Sequence, residues 1–295
     1  MIPTTADRLH AVGLDPVAVA DIVDRALAED LGPDRLDVTS VATIPAGQID
    51  VGDLVARADG VLAGLPVAAA VFDLASSGAV TFTIKAPEGA VVRQGDLLAT
   101  MDGPTRALLT AERTALNLLC RMSGVATLTR AWADALAGTG ATVLDTRKTT
   151  PGLRILEKYA VRAGGGTNKR MGLYDVAMVK DNHKLAAGSV SAAFARVRNA
   201  FPDVLVQVEV TTVAEAVEAV EAGATFLLCD NMPPALLRAV VEAVGDRAEL
   251  EATGGLTLPV AREYALTGVN YLSVGALTHS APILDIALDL RPRRH

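Results

Sequence analysis

Cysteine is nearly absent, and the two that occur, Cys120 and Cys229, stand far apart inside apolar stretches. Neither a disulfide framework nor a zinc spacing can be built from them, so both read as small buried hydrophobes. No run approaches the roughly 18 uninterrupted apolar residues of a membrane span. The opening MIPTTADRLHAVGLDP lacks the basic segment and apolar core of a secretory leader, so a cytoplasmic chain with no membrane partner is expected. Positive charge is not in excess either. The 27 Lys and Arg face 34 Asp and Glu, a net charge of -7, which argues against a nucleic-acid partner. What remains is ordinary globular composition, 295 residues at 51% hydrophobic and 21% charged, enough for two domains or a barrel with an appendage.

The chain changes character near residue 120. Before it, short alternating segments at 49–58, 80–84 and 90–100 are separated by turn signals such as Ala58-Asp59-Gly60 and Pro87-Glu88-Gly89, the pattern of a small β-rich unit. Helical spacing flanks that unit over 16–29 and over 105–122, where Leu108, Leu109, Leu116, Leu119 and Cys120 share a face. The stretch 89–100 has the look of a carrier-domain hairpin, but Lys85 stands at a strand end instead of a tip, so a packed hairpin is expected. After residue 140, apolar runs at 141–144, 176–179, 204–210, 225–229, 248–252 and 270–274 alternate with helical segments at 191–200, 213–222, 234–244 and 258–267. A further strand is expected near 159–163. Glu209, Asp230 and Glu251 are spaced by 21 residues each time, one strand plus one helix with tight loops, which favours a parallel barrel. The fold class is thus α/β: an N-terminal domain over 1–120, to which the segment 281–295 is assigned, and an incomplete barrel of about seven strands over 121–280.

Each apolar run of the second half ends on polar residues. These are Asp145 to Lys148, Lys180 to His183, Glu209, Asp230-Asn231, Glu251 with Thr253-Gly254-Gly255, and Ser273-Val274-Gly275. The carboxyl ends of barrel strands converge on one mouth, where such folds place catalysis. Arg147, Lys148, Arg162, Lys169, Arg170 and Lys180 form a basic cluster in an acidic protein, and Gly164-Gly165-Gly166 offers a backbone that can approach a ligand closely. Arginine suits bidentate recognition of carboxylate or phosphate, while lysine is a mobile point charge, so a ligand bearing both kinds of anion is expected. Glu209 and Asp230 could hold a hard cation such as Mg2+, stabilise positive charge forming on the substrate, or simply pair with the lysines. The glycines after the last two strands suit a terminal phosphate. Two other classes fit less of this pattern: an aldolase with Lys180 as its Schiff-base lysine, and a ligand sensor that keeps the fold without turnover.

The chain resembles the quinolinate phosphoribosyltransferase family in Asp145-Thr-Arg-Lys-Thr-Thr-Pro-Gly-Leu-Arg154, Glu157-Lys-Tyr-Ala-Val-Arg162, Gly164-Gly-Gly-Thr-Asn168, Val179-Lys-Asp-Asn-His183, Cys229-Asp-Asn-Met232 and Ser273-Val-Gly-Ala-Leu-Thr-His-Ser280. Ala28 to Gly32, Asp37 to Ser40 and Thr110 to Asn117 extend the likeness over nearly the whole chain. The resemblance implies an α/β sandwich ahead of the incomplete barrel. It implies conversion of quinolinate and phosphoribosyl pyrophosphate to nicotinate mononucleotide, pyrophosphate and CO2 in NAD biosynthesis, with Mg2+. It further implies a homodimer, or a larger homo-oligomer built from it, in which Arg113 completes the partner's mouth. Carried over by motif, Arg147, Lys169, Arg170 and Lys180 bind the pyridine dicarboxylate, and Lys148 reaches the diphosphate. Glu209 and Asp230 serve ribose and metal, while Thr253, Gly254, Gly255 and Gly275 hold the 5-phosphate. Lys148, Lys180, Glu209 and Asp230 carry the chemistry.

Lys169 stands where the family pattern has histidine, Gln207 and Thr211 where further acids are common, and Thr253 where serine is common. If Gln207 or Thr211 faces the pocket, metal affinity should fall. These departures leave open a paralogue acting on another pyridine or aromatic acid. His10, His279 and His295 have no ligand spacing, and His183 orients neighbours as readily as it moves protons. Trp132 should pack in a core, while Arg291, Arg293 and Arg294 read as a solvated basic tail.

Overall fold

The structure is a computed structural model and describes residues 1–293; Arg294 and His295 lie outside the described residues. The strands are β1 (Ile49–Ala56), β2 (Gly60–Val61), β3 (Thr81–Ile84), β4 (Val91–Val92), β5 (Leu97–Pro104), β6 (Thr142–Leu144), β7 (Val176–Val179), β8 (Leu205–Val210), β9 (Phe226–Asp230), β10 (Glu249–Thr253), β11 (Tyr271–Ser273) and β12 (Ile286–Pro292). They fall into two compact units. One comprises Met1–Leu128, Thr150–Gly165 and the chain from Ser280 onward; the other comprises Thr129–Thr149 and Gly166–His279.

The first unit is a sandwich of helices on a four-stranded antiparallel sheet of order β12-β1-β5-β3. Its central helix, Leu65–Ser76, is apolar all round and buried along residues 65 to 73, so it must be covered on every side. The helices Pro3–Ala11 and Pro16–Leu31 pack on it. Glu88 closes its start: the carboxylate accepts from Gly64 N at 2.7 Å, from Leu65 N at 2.9 Å and from the Tyr159 hydroxyl. That answers the orphan N–H groups of a helix start with a negative charge, and burial pushes the Glu88 carboxyl up despite the donors.

Four expectations about the elements change here. The helix that begins at Thr105 does not stop at 122 but continues to Leu136, because the Ala-rich segment keeps its helical spacing and Trp132 is buried on it. The run at 159–163 belongs to the helix Arg154–Ala163, not to a strand; a short apolar run fits either period. Arg291 and Arg293 are not a free tail, and Arg294, the third arginine of that expectation, lies outside the described residues. β12 is an edge strand on β1, and Arg291 pairs with Asp53 at 2.7 Å while Arg293 approaches Asp102 at 3.5 Å. The 90–100 segment also divides, β4 pairing with β2 and β5 joining the main sheet. Gly124 lets the C-terminal segment cross the long helix: a Cβ there would meet Ile283 Cα at 2.8 Å. The break at residue 128, and the placing of 150–165 with the first unit, differ from a division at 120 for the same reason, since one helix runs through position 120.

The second unit is an incomplete α/β barrel of six parallel strands in the order β6-β11-β10-β9-β8-β7. A parallel bridge between Leu144 and Thr167 adds a single-residue seventh position outside β6. Helices return the chain between strands, among them Val190–Ala200, Val213–Glu221 and Pro234–Val244. β8 is buried from Val206 to Val210, as a strand covered on both faces must be.

Candidate active site

The carboxyl ends of β6 to β11 surround a cavity of about 640 Å3. Its lining includes Arg147 and Lys148 after β6, Lys180 after β7, Glu209 of β8, Asp230 of β9, Thr253 of β10 with Gly254 and Gly255, and Gly275 after β11. Lys169 and Arg170, from the segment after Thr167, complete the charged wall. Five cations therefore line the same space as two carboxylates, Glu209 and Asp230.

Strand register sets their depth. The 21-residue step makes Glu209, Asp230 and Glu251 look equivalent, but Glu209 and Glu251 both lie level with Leu228. Asp230 is one pleat further out, level with Thr253. Stagger of this kind accompanies the tilt of barrel strands. Glu251, although level with Glu209, is fully buried and does not line the cavity, being covered by Lys169, Gln207 and Ser273.

At the mouth, Lys180 Nζ stands 3.8 Å from Glu209 Oε2, with the lysine side chain 51% exposed and the glutamate 11%. Burial raises the Glu209 carboxyl, Lys180 lowers it, and Asp230 and Asp181 raise it again. Asp230 accepts from Asn231 Nδ2 at 2.9 Å. Arg170 donates to Val176 O at 2.9 Å, and burial followed by Arg147 brings its pKa below the ordinary arginine value, so these neighbouring guanidiniums repel and favour an anion between them. His183 Nδ1 accepts from Lys180 N at 2.9 Å, which makes it an orienting residue for the start of the helix Asp181–Ala187.

Beneath the mouth, Lys169 Nζ lies 2.5 Å from Glu251 Oε1, Gln207 Nε2 donates to Glu251 Oε2 at 2.6 Å, and Ser273 Oγ donates to Oε1. Burial depresses the Lys169 ammonium more than Glu251 supports it. Asp145, also fully buried, accepts from Lys169 N at 2.8 Å and from Asn168 Nδ2 at 2.6 Å, which fixes the segment that carries Lys169.

At the opposite end, Asn231 takes a left-handed φ of 52°, and its amide donates to Thr253 O at 3.0 Å. Gly254, at φ 98°, passes so close that a Cβ would lie 2.9 Å from Asn231 N. A Cβ on Gly275 would meet Lys148 Cδ at 2.9 Å and His279 Nε2 at 3.1 Å. Side chains at these two positions would thus displace neighbours that themselves line the cavity.

Of the residues singled out in the sequence, Arg113 does not line this cavity and is exposed on the helix Thr105–Leu136. Arg162 belongs to the first unit, where its guanidinium lies 5.6 Å from the Tyr159 ring centroid, and it does not line the cavity. The Gly164 to Gly166 triplet serves the turn after the helix Arg154–Ala163, with Gly165 at φ 92°, and does not reach the ligand space. Gln207 is buried under the floor, and Thr211 is exposed, bonded to Glu215 at 2.7 Å through its N–H. Neither faces the pocket, so the expected loss of metal affinity has no basis in position. His279, set aside for lack of ligand spacing, lines the cavity beside Gly275; its place four residues after Gly275 was the available signal. Among the described residues no group of three or more His, Cys, Asp or Glu could hold a metal ion. No helix among them is long and apolar enough to cross a membrane.

Residues 37–123 match the quinolinate phosphoribosyl transferase N-terminal domain, and residues 125–289 match the C-terminal domain of the same family. The chain is 48% identical over 277 residues to the nicotinate-nucleotide pyrophosphorylase [carboxylating] of Mycobacterium leprae (strain TN), covering 92% of this chain and 97% of that protein. It is 40% identical to the probable enzyme of that name from Bacillus subtilis (strain 168), covering 91% and 92%. The crystal structure of NadC from Streptococcus pyogenes superposes with a TM-score of 0.91 at 38% identity, over 95% of this chain and 99% of that one.

Proposed function

The chain belongs to the quinolinate phosphoribosyltransferase family, and from that premise we propose how its own residues divide the reaction. The activity is transfer of the phosphoribosyl group from phosphoribosyl pyrophosphate to the ring nitrogen of quinolinate, giving nicotinate mononucleotide, pyrophosphate and CO2. The observation that carries the assignment of residues is the cavity wall itself, five cations set against two carboxylates at the ends of parallel strands.

Arg147, Arg170, Lys169 and Lys180 take the two carboxylates of quinolinate, and Lys148 reaches toward the pyrophosphate. Thr253, Gly254, Gly255 and Gly275 receive the 5-phosphate, with His279 beside them. As the bond from ribose C1 to pyrophosphate breaks, positive charge grows on the sugar, and Glu209 and Asp230 face that charge. The new bond joins C1 to the pyridine nitrogen. The resulting pyridinium accepts the electron pair released when the adjacent carboxylate leaves as CO2, and a proton then takes the vacated carbon. That second step needs orientation and exclusion of water more than a protein acid or base. Lys180 is half exposed and paired with Glu209, a setting for binding anions and not for a desolvated Schiff-base amine.

Mg2+ fits this donor set. Two carboxylates, one of which, Asp230, raises the proton affinity of the other, Glu209, are too few for a protein-only cage but suit an ion that arrives with substrate phosphates and keeps several waters. Glu209 and Asp230 would hold it, and its chemistry is to offset charge on the departing pyrophosphate. Arg113, exposed on its helix, fits completion of the mouth by the partner in a homodimer. The setting is cytoplasmic. Lys169 keeps one alternative alive, a related pyridine acid, because an ammonium replaces a planar ring in the acid subsite.

Incubation with quinolinate, phosphoribosyl pyrophosphate and Mg2+, following nicotinate mononucleotide and CO2 together, tests the reading. Both products are expected, and Lys180→Ala should slow their formation by about 10^3. Binding of phosphoribosyl pyrophosphate without either product would transfer the assignment to another acid.

A further inference from the structure

Two of the departures from the family pattern, Lys169 and Gln207, meet on one carboxylate. Glu251 receives Lys169 Nζ at 2.5 Å, Gln207 Nε2 at 2.6 Å and Ser273 Oγ, so donors from three separate segments converge on a side chain with no exposure. The Gln207 amide is committed to this orientation. Its oxygen is buried without a hydrogen-bond partner, yet turning it round would set that oxygen against the carboxylate. The cluster therefore holds one cation and one anion: a full ammonium where the family has histidine, balanced by a neutral amide where a further acid is common. Such a buried pair is not needed for stability, since apolar residues of similar volume would do as well. Its exposed product is the Lys169 ammonium, 10% exposed and facing the cavity.

We propose that Glu251 is a positioning residue: with Gln207 and Ser273 it pins the Lys169 ammonium at the cavity floor, and so sets affinity for the acceptor acid without setting affinity for the phosphoribosyl donor. The inference rests on the reading that Lys169 belongs to the acid subsite. Without the tether the ammonium is free to swing, and its donors are no longer aimed at an incoming carboxylate. The change at 207 then belongs with the change at 169, because a second acid beside Glu251 would compete for the same ammonium.

Steady-state kinetics of Glu251→Gln, alone and with Lys169→Met, decide this. In the single variant the KM for quinolinate should rise about tenfold, as for other residues that orient a binding group, while kcat and the KM for phosphoribosyl pyrophosphate stay within about twofold. In the Lys169→Met background Glu251→Gln should add nothing, because the residue acts through Lys169. An equal rise in both KM values, or the same factor in both backgrounds, overturns the proposal. Should Glu251→Gln not fold, Gln207→Met removes one support and should raise the quinolinate KM about threefold, and a flat KM overturns the proposal. If the unaltered protein does not turn over quinolinate, the acceptor assignment has failed, and the tether is judged by melting. The double variant should melt above Glu251→Gln alone, since it no longer buries an unpaired ammonium, and equal midpoints overturn the tether.

Discussion

Two lysine–glutamate pairs meet at the cavity, one open to solvent at its mouth and one sealed beneath its floor. Lys180 and Glu209 at the mouth stand 3.8 Å apart with half of the lysine in solvent; Lys169 and Glu251 at the floor stand 2.5 Å apart with almost none of either exposed. The difference is one of unspent capacity. The floor carboxylate accepts from three protein donors and has no exposure through which to meet a ligand, so it reaches the cavity through the lysine above it. The mouth carboxylate is shared among Lys180, Asp230 and Asp181, whose influences conflict, and that conflict is what a cationic transition state or a metal ion relieves. Close geometry thus marks support, and loose geometry marks the chemistry.

The sharpest way to break this comparison is to remove one lysine from each pair. Lys180→Ala should lower kcat/KM by about 10^3, the scale of a lost electrostatic contact to the transition state, and leave the melting midpoint within about 2 °C. Lys169→Met should do the reverse in stability. It leaves a buried carboxylate with only neutral donors, a loss of about 3 kcal/mol by denaturant unfolding. If Lys180→Ala is the more destabilising of the two, depth does not divide the roles.

Metal withdrawal separates the same two regions. Chelation by EDTA should abolish turnover, and Mg2+ in excess should restore it, while the melting midpoint of the substrate-free protein stays within about 1 °C because two carboxylates alone bind Mg2+ weakly. A large fall in melting temperature would mean a resident, structural ion at the mouth.

The mouth was legible in the sequence; of the floor, Lys169 and the strand-end place of Glu251 were legible but their contact was not, for a reason that lies in packing between strands. Arg147, Lys148, Lys180 and Asp230 could be found because each follows or ends an apolar run, and strand ends of a barrel converge whatever their exact alignment. Glu209 and Glu251 stand level with the same residue of β9, so whether either meets solvent depends on what packs over it, and a 21-residue repeat is blind to that packing. Gln207 was placed beside the metal site for the same reason: it lies two residues along the strand from Glu209, on the same face but one pleat deeper. Long-range pairing hid the rest. Nothing local in Ile286–Pro292 announces an edge strand, since its partner β1 is more than two hundred residues earlier and its charges, Asp289 opposite Asp53, make sense only once Arg57 and Arg291 are seen to neutralise them.

The smallest effect tests the mouth acid directly. Burial first, then Asp230 and Asp181, hold the Glu209 carboxyl above its ordinary value against the pull of Lys180. The folded chain therefore binds this proton more tightly than the unfolded chain does. Whatever Glu209 contributes to stability is fully present below the ordinary carboxylate value and is lost as pH rises through the raised one. At pH 7 the native protein carries a charged group in a place that resists it. Glu209→Gln should melt slightly above the unaltered protein at pH 7, and the gap should close as pH falls toward 4, even as activity is lost. Adding Lys180→Ala to the background removes the strongest favourable neighbour and should widen the gap at pH 7. Melting curves of the four proteins between pH 4 and pH 8 provide the check. A gap independent of pH would place the origin of the difference in packing instead of charge, and Glu209 would then resemble the floor carboxylate after all.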